Sequence, residues 1–168
     1  MLDAATLLFF PALMAFAAIS DLLTMRIPNR ISIALAISFI ALAFACGLSP
    51  KEILLHIACG ASMLTLGFGV FAKGWIGGGD AKLAAATGLW LGFDNLGQYA
   101  LFASALGGLL AVLLLGLRKW PLPGVLPARE WIACLHEPAT GIPYGIALAS
   151  AGLILYPETA IWLAAARP

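Results

Sequence analysis

Ser20-Asp21-Leu22-Leu23-Thr24-Met25-Arg26-Ile27-Pro28-Asn29 separates two long apolar runs, Ala4–Ser20 and Ile31–Leu48. It carries a carboxylate, a cation and a proline, and it reads as a short polar link between two helices. Beside hydrocarbon a carboxylate is costly, roughly 2.5–3.5 kcal/mol at the centre of a membrane helix, so Asp21 marks a place where something other than packing is at stake. The pattern recurs downstream, where Gly77-Gly78-Gly79-Asp80 opens another apolar run.

Working outward from these stretches, six apolar segments can be drawn: Ala4–Ser20, Ile31–Leu48, Ile53–Ala72, Ala81–Phe93, Leu96–Leu117 and Ile142–Leu163. Most approach the roughly 20 residues that cross a hydrocarbon core of ~30 Å. The fourth is short, about 13 residues or ~20 Å of helix, and needs shielding by its neighbours, extension or a thinned bilayer. Composition agrees with this reading. The 168 residues are 62% hydrophobic and only 10% charged, with a mean hydropathy of +1.02. A water-exposed surface of this size needs more charge. The expected fold class is all-α, a polytopic membrane protein of about six transmembrane helices forming a single domain over residues 1–168.

Charge placement gives an orientation. With the N-terminus outside, the inner loops hold Arg26, Arg30, Lys73, Lys82, Arg118, Lys119 and Arg129, leaving only Lys51 and Arg167 outside. This positive-inside bias puts both termini on the outer side and both Asp21 and Asp80 on the inner one. Two spans lie between the aspartates, and an odd number would have separated them. Met1-Leu2-Asp3 lacks the basic start of a cleaved signal peptide, so the first run is expected to be retained. No basic cluster is long enough to bind nucleic acid. Cys46, Cys59 and Cys134 are scattered, with neither disulfide nor zinc-ligand spacing, and read as small packing residues.

Two carboxyls brought within a few ångströms can share one proton, leaving an ionised base and a protonated acid, which is the pair that amide hydrolysis requires. The spacing from Asp21 to Asp80 leaves that pairing to the fold. Each residue also has a plainer use. Asp21 fits a helix-end charge or the cap of the next helix. Asp80 fits the first turn of the fourth helix, with Lys82 as a partner. Gly77, Gly78 and Gly79 weigh against the plainer use, because three successive glycines sacrifice chain stability for close backbone approach and unusual φ angles beside a carboxylate.

Asp21 with Arg26-Ile27-Pro28-Asn29, then Gly77-Gly78-Gly79-Asp80-Ala81-Lys82, then Ile142-Pro143-Tyr144-Gly145, resembles in content and order the bacterial prepilin peptidases of the GxGD class. The likeness spans nearly the whole chain and is to the short branch that serves Flp-type (tight-adherence) pili. It implies a membrane aspartyl endopeptidase of the bacterial inner membrane, acting at the cytoplasmic face to cut the leader from a prepilin. Asp21 and Asp80 match the catalytic positions, and Gly77 and Gly79 the family's fixed glycines. Gly78, Pro143, Tyr144 and Gly145 are carried as active-site or substrate-binding residues. The sequence lacks the paired CxxC extension of longer members, so neither zinc nor their N-methyltransferase activity is carried over, and no cofactor is expected. The expected partners are a prepilin and the lipid bilayer.

Other residues have structural readings. Arg26 and Lys82 fit inner-face anchors, Asn29 a helix cap, and His56 a hydrogen-bonded interior residue. Trp120 and Trp131 suit the membrane interface, and Gly88 with Gly92 a close-packing GxxxG pair. Two rival functions use the same carboxylates. A small transporter or proton channel would employ them as an ion relay, although both fall at one face and not at the midplane. A non-catalytic membrane scaffold would not need them.

Overall fold

The computed structural model describes residues 7–121 and 130–165. Residues 4–6 of the first apolar run, the prolines at 123 and 127, and the cations at 129 and 167 lie outside the described residues. In chain order the helices are α1 (Phe9–Thr24), α2 (Asn29–Ala45), α3 (Pro50–Ala72), α4 (Gly78–Leu117), α5 (Glu130–His136) and α6 (Tyr144–Leu155). A 3-10 turn over Tyr156–Glu158 leads into α7 (Ala160–Ala165). Regular structure among the described residues is helical throughout. Pro50–Ala72, Gly78–Leu117 and Tyr144–Ala165 are long and apolar enough to cross a membrane, while α1 and α2 are apolar but shorter. Large apolar side chains such as Phe68, Leu101 and Val112 point outward. Lipid accommodates such a surface and water does not. The protein is a polytopic helical membrane protein, as the composition predicts.

The fourth and fifth apolar segments form one helical run broken at Gly92, where φ is 70° and ψ is −178°. The second arm folds back on the first, since Asp80 and Ala84 share a cavity lining with Ala103, Ser104 and Gly108. The sequence places this break around Asp94-Asn95. It falls at Gly92 because only glycine takes a positive φ without strain, after which Asp94 and Asn95 sit comfortably in the resumed helix. The broken turn exposes the Leu89 carbonyl, and His56 Nδ1–H donates to it at 2.8 Å. His56 is thus the hydrogen-bonded interior residue its setting implies. Gly92 serves the break itself, while Gly88 lies against Met63 and Cys59 of α3.

Helix α3 makes the most extensive packing against α4. Gly67 meets Ala81 there, and Gly60 meets Ala85 and Leu89, so small residues let the two backbones approach closely. At the end remote from the aspartates an aromatic cluster closes the bundle. Phe10 lies 4.8 Å from both Trp90 and Tyr156, and Trp90 Nε1–H donates to the Leu35 carbonyl at 2.8 Å. The last segment is not one helix. Pro157 removes a donor, the chain tightens through the 3-10 turn, and Thr159 Oγ accepts from the Trp162 N–H at 3.3 Å to begin α7.

Candidate active site

Helix α1 runs past Ser20 to Thr24, so Asp21 lies inside its last turn and not beyond its end. The termination explains this. Met25 takes a left-handed conformation (φ 53°) and its N–H donates to the Asp21 carbonyl at 2.8 Å. Ser20 Oγ–H donates to the Arg26 carbonyl at 2.8 Å, and Thr24 Oγ–H to the Ser20 carbonyl at 2.7 Å. These bonds pin the link and turn Ile27 inward. Pro28, and not Asn29 or Asp21, caps α2. Asn29 instead accepts from Lys82 Nζ at 2.9 Å, which ties α2 to α4 and gives Lys82 a partner other than Asp80.

Asp80 stands in the first turn of α4, with Gly77 as the capping residue. A carboxylate suits that position because the first N–H groups of the helix have no partners within it. The three glycines do not supply unusual φ angles: Gly77 has φ −71°, and the positive-φ glycines among the described residues are Gly47, Gly74 and Gly92. They supply clearance. A Cβ on Gly77 would stand 2.8 Å from Asp80 Oδ2, one on Gly78 3.3 Å from the Phe71 ring, and one on Gly79 3.1 Å from the Ile27 Cβ.

Asp21, Gly77, Gly78, Gly79 and Asp80 line one cavity of about 450 Å³, together with Arg26, Ile27 and Asn29. Asp21 borders this cavity from α1 and Asp80 from α4. Asp21 is only 5% exposed, and its Oδ2 accepts from the Gly145 N–H at 2.7 Å. Gly145 therefore reaches the site from behind Asp21. Pro143 is fully buried as the capping residue of α6, and Tyr144 is partly exposed and faces a second cavity that Asp80 also borders.

Ile27 is the residue that sequence reasoning passed over. Its side chain wedges between α4 and α6: Cβ lies 3.1 Å from a Cβ built on Gly79, and Cδ1 2.6 Å from one built on Gly145. The adjoining Arg26-Pro28 pattern marks the link without revealing which side chain enters the bundle. Arg118 likewise has a specific task. Its guanidinium donates to the carbonyls of Leu135, Thr140 and Gly141 at 2.8–3.1 Å, which fastens α5 and the approach to Pro143 onto the end of α4. Among the described residues no three His, Cys, Asp or Glu side chains cluster as metal ligands would.

Fold and site together define a helical membrane protein with a two-carboxylate cavity at one end of its bundle. A family model of the type IV leader peptidase family matches residues 8–112, and the chain belongs to that family. The match covers Asp21 and Gly77–Asp80 but stops short of Pro143, Tyr144 and Gly145. Searches among curated proteins and among solved structures return no match. The protein is a membrane protease of the prepilin peptidase type.

Proposed function

We propose that this protease is of the aspartic type and cuts the leader from a prepilin of the Flp type, with Asp21 and Asp80 acting as a pair. The observation that carries the reading is that two carboxylates from distant parts of the chain line one cavity, next to a wall of three glycines. The ionised member takes a proton from water as the water oxygen attacks the scissile carbonyl carbon. The protonated member donates to the carbonyl oxygen and stabilises the tetrahedral intermediate. Collapse of that intermediate breaks the C–N bond, and the proton held by the base passes to the leaving nitrogen. Roles are exchangeable, because the proton belongs to the pair. The glycines leave room for an extended peptide backbone against the carboxylates.

The active site faces the cytoplasm of the bacterial inner membrane and both termini face the periplasm, a topology supported by the basic residues gathered in the loops at the site end. The test is co-expression of a prepilin with wild type, Asp21→Asn or Asp80→Asn, read as a leader-sized shift on a gel with membrane insertion of each variant checked. Wild type should give the shift and both variants should lose it. Processing by either variant would overturn the pair.

A further inference from the structure

Helices α2 and α3 each pack on α4 but make few contacts with one another, although only a short turn joins them. The cleft left between them holds about 640 Å³. Its floor is the buried surface of Gly60, Ala85, Ala86 and Leu89. Ile33, Ile57 and Leu64 on the rim are exposed apolar side chains, so the cleft opens toward lipid.

The lining turns polar at one end. Asn29 and Lys82 stand there, and Asn29 also lines the cavity that holds Asp21 and Asp80. Lys82 is exposed, donates to the neutral Asn29 Oδ1 and forms no ion pair among the described residues, so its charge is uncompensated at the mouth. Arg30, also exposed, stands one turn before Ile33 on the same face of α2 and brings a second cation. One turn deeper than Asn29, the Ser32 hydroxyl in the wall is buried without a hydrogen-bond partner. The helical hydroxyls of Thr24, Ser62, Thr65 and Thr87 instead return to the carbonyl four residues back. A change of χ1 rotamer turns the Ser32 hydroxyl toward the cleft, where a ligand oxygen would satisfy it.

We infer that this cleft binds an anionic phospholipid, with its phosphate against Lys82 and Arg30 and an acyl chain running along the groove toward Ile40. Basic pockets between membrane helices select such headgroups, and the apolar floor suits the chain. The width argues against a helix as the occupant. From Asn29 to Ile40 the groove follows α2 for about 16 Å, which gives a mean cross-section of about 40 Å². A helix 10–12 Å across needs roughly 80 Å² or more, whereas an extended hydrocarbon chain fits. The inference rests on the membrane fold and not on the roles of Asp21 and Asp80. A lipid held there bridges α2 and α4 beside the catalytic cavity, through the Asn29 that both spaces share.

The test titrates full-length protein in a neutral detergent with phosphatidylglycerol or phosphatidylcholine and reads bound lipid by native mass spectrometry, each variant being confirmed as folded by its melting profile. Wild type should bind phosphatidylglycerol more tightly. Lys82→Gln keeps a donor for Asn29 and should cut that preference by about fivefold, the scale of one cation near an anionic lipid. Ala61→Phe, on the exposed rim, narrows the cleft without altering charge and should weaken binding of both lipids. Lys119→Gln, an exposed cation beyond the end of α4, should change neither. Absence of a preference in wild type overturns the site. So does an equal loss of preference in Lys119→Gln, which would make diffuse surface charge the cause, or an Ala61→Phe variant that binds both lipids as wild type does. A photoreactive phenylalanine in place of Ile57 should label lipid in membranes; a cross-link to a second copy or to a co-expressed prepilin overturns lipid as the occupant. Cleavage enters none of these measurements, so their failure would leave the peptidase reading standing.

Discussion

The Gly145 N–H donates to Asp21 Oδ2 at 2.7 Å, joining the start of α6 to the end of α1 across 124 positions of sequence. This bond fixes the orientation of one carboxylate with a backbone group that no side-chain change removes. It also makes Gly145 intolerant of any side chain, since a Cβ there would stand 2.8 Å from Asp21 Oδ2 and 2.6 Å from Ile27 Cδ1. Gly145→Ala should displace the carboxylate and lower kcat by about 10²-fold, the cost of misplacing a reacting group by roughly 1 Å. Single-turnover cleavage by the membrane-inserted variant checks this, and an unaltered rate would mean that the carboxylate does not need this support.

Ile27 should behave as a keystone. Ile27→Ala removes a buried side chain held between Gly79 and Gly145, and it should destabilise the bundle by about 2–5 kcal/mol through transfer and cavity terms. Denaturant unfolding in detergent measures the loss. Activity should fall as well, because the wedge spaces α4 from α6 and with them Asp80 from Asp21.

The break at Gly92 should matter for stability and not for the reaction. Gly92→Ala forces a Cβ into positive φ and to 2.9 Å from His56 Cε1, and the backbone strain alone costs about 1–2 kcal/mol. His56→Ala strips the donor from the Leu89 carbonyl, at about 1–3 kcal/mol for a buried acceptor left unpaired. Both variants should melt earlier yet cleave normally per folded molecule. A rate loss beyond the unfolded fraction would tie this end of the bundle to the chemistry.

The pH dependence follows from the roles proposed for the two carboxylates. Hydrolysis needs one ionised and one protonated, so the rate should rise and then fall with pH. The acid limb comes from protonating the base, and the alkaline limb from losing the shared proton. A rate that stays flat from mildly acidic to neutral pH, with bond cleavage shown to be rate-limiting, would contradict a shared proton.

The bundle was legible because hydrophobic runs of membrane length leave few architectures open, and because counting spans between Asp21 and Asp80 puts both at one end. The cavity that forms the candidate site was legible where polar residues interrupt apolar runs, at Asp21 and at Gly77–Asp80. What escaped were relationships that only tertiary approach creates. An isoleucine such as Ile27 looks like any other apolar residue until two glycines are found on either side of it. Arg118 counts as one more inner-face cation until its three carbonyl partners come into view. The α4 break went to Asp94-Asn95 because polar residues are the visible punctuation, whereas the backbone turned where φ could become positive.

The central claim is that Asp21 and Asp80 act as one unit, and it is tested most directly by kcat for Asp21→Asn, Asp80→Asn and the double variant on a purified prepilin. Each single change should lower kcat by at least about 10³-fold, with the double variant no slower than the singles, as expected when residues function together. A single variant that keeps a substantial fraction of wild-type activity while inserted and folded would contradict the account.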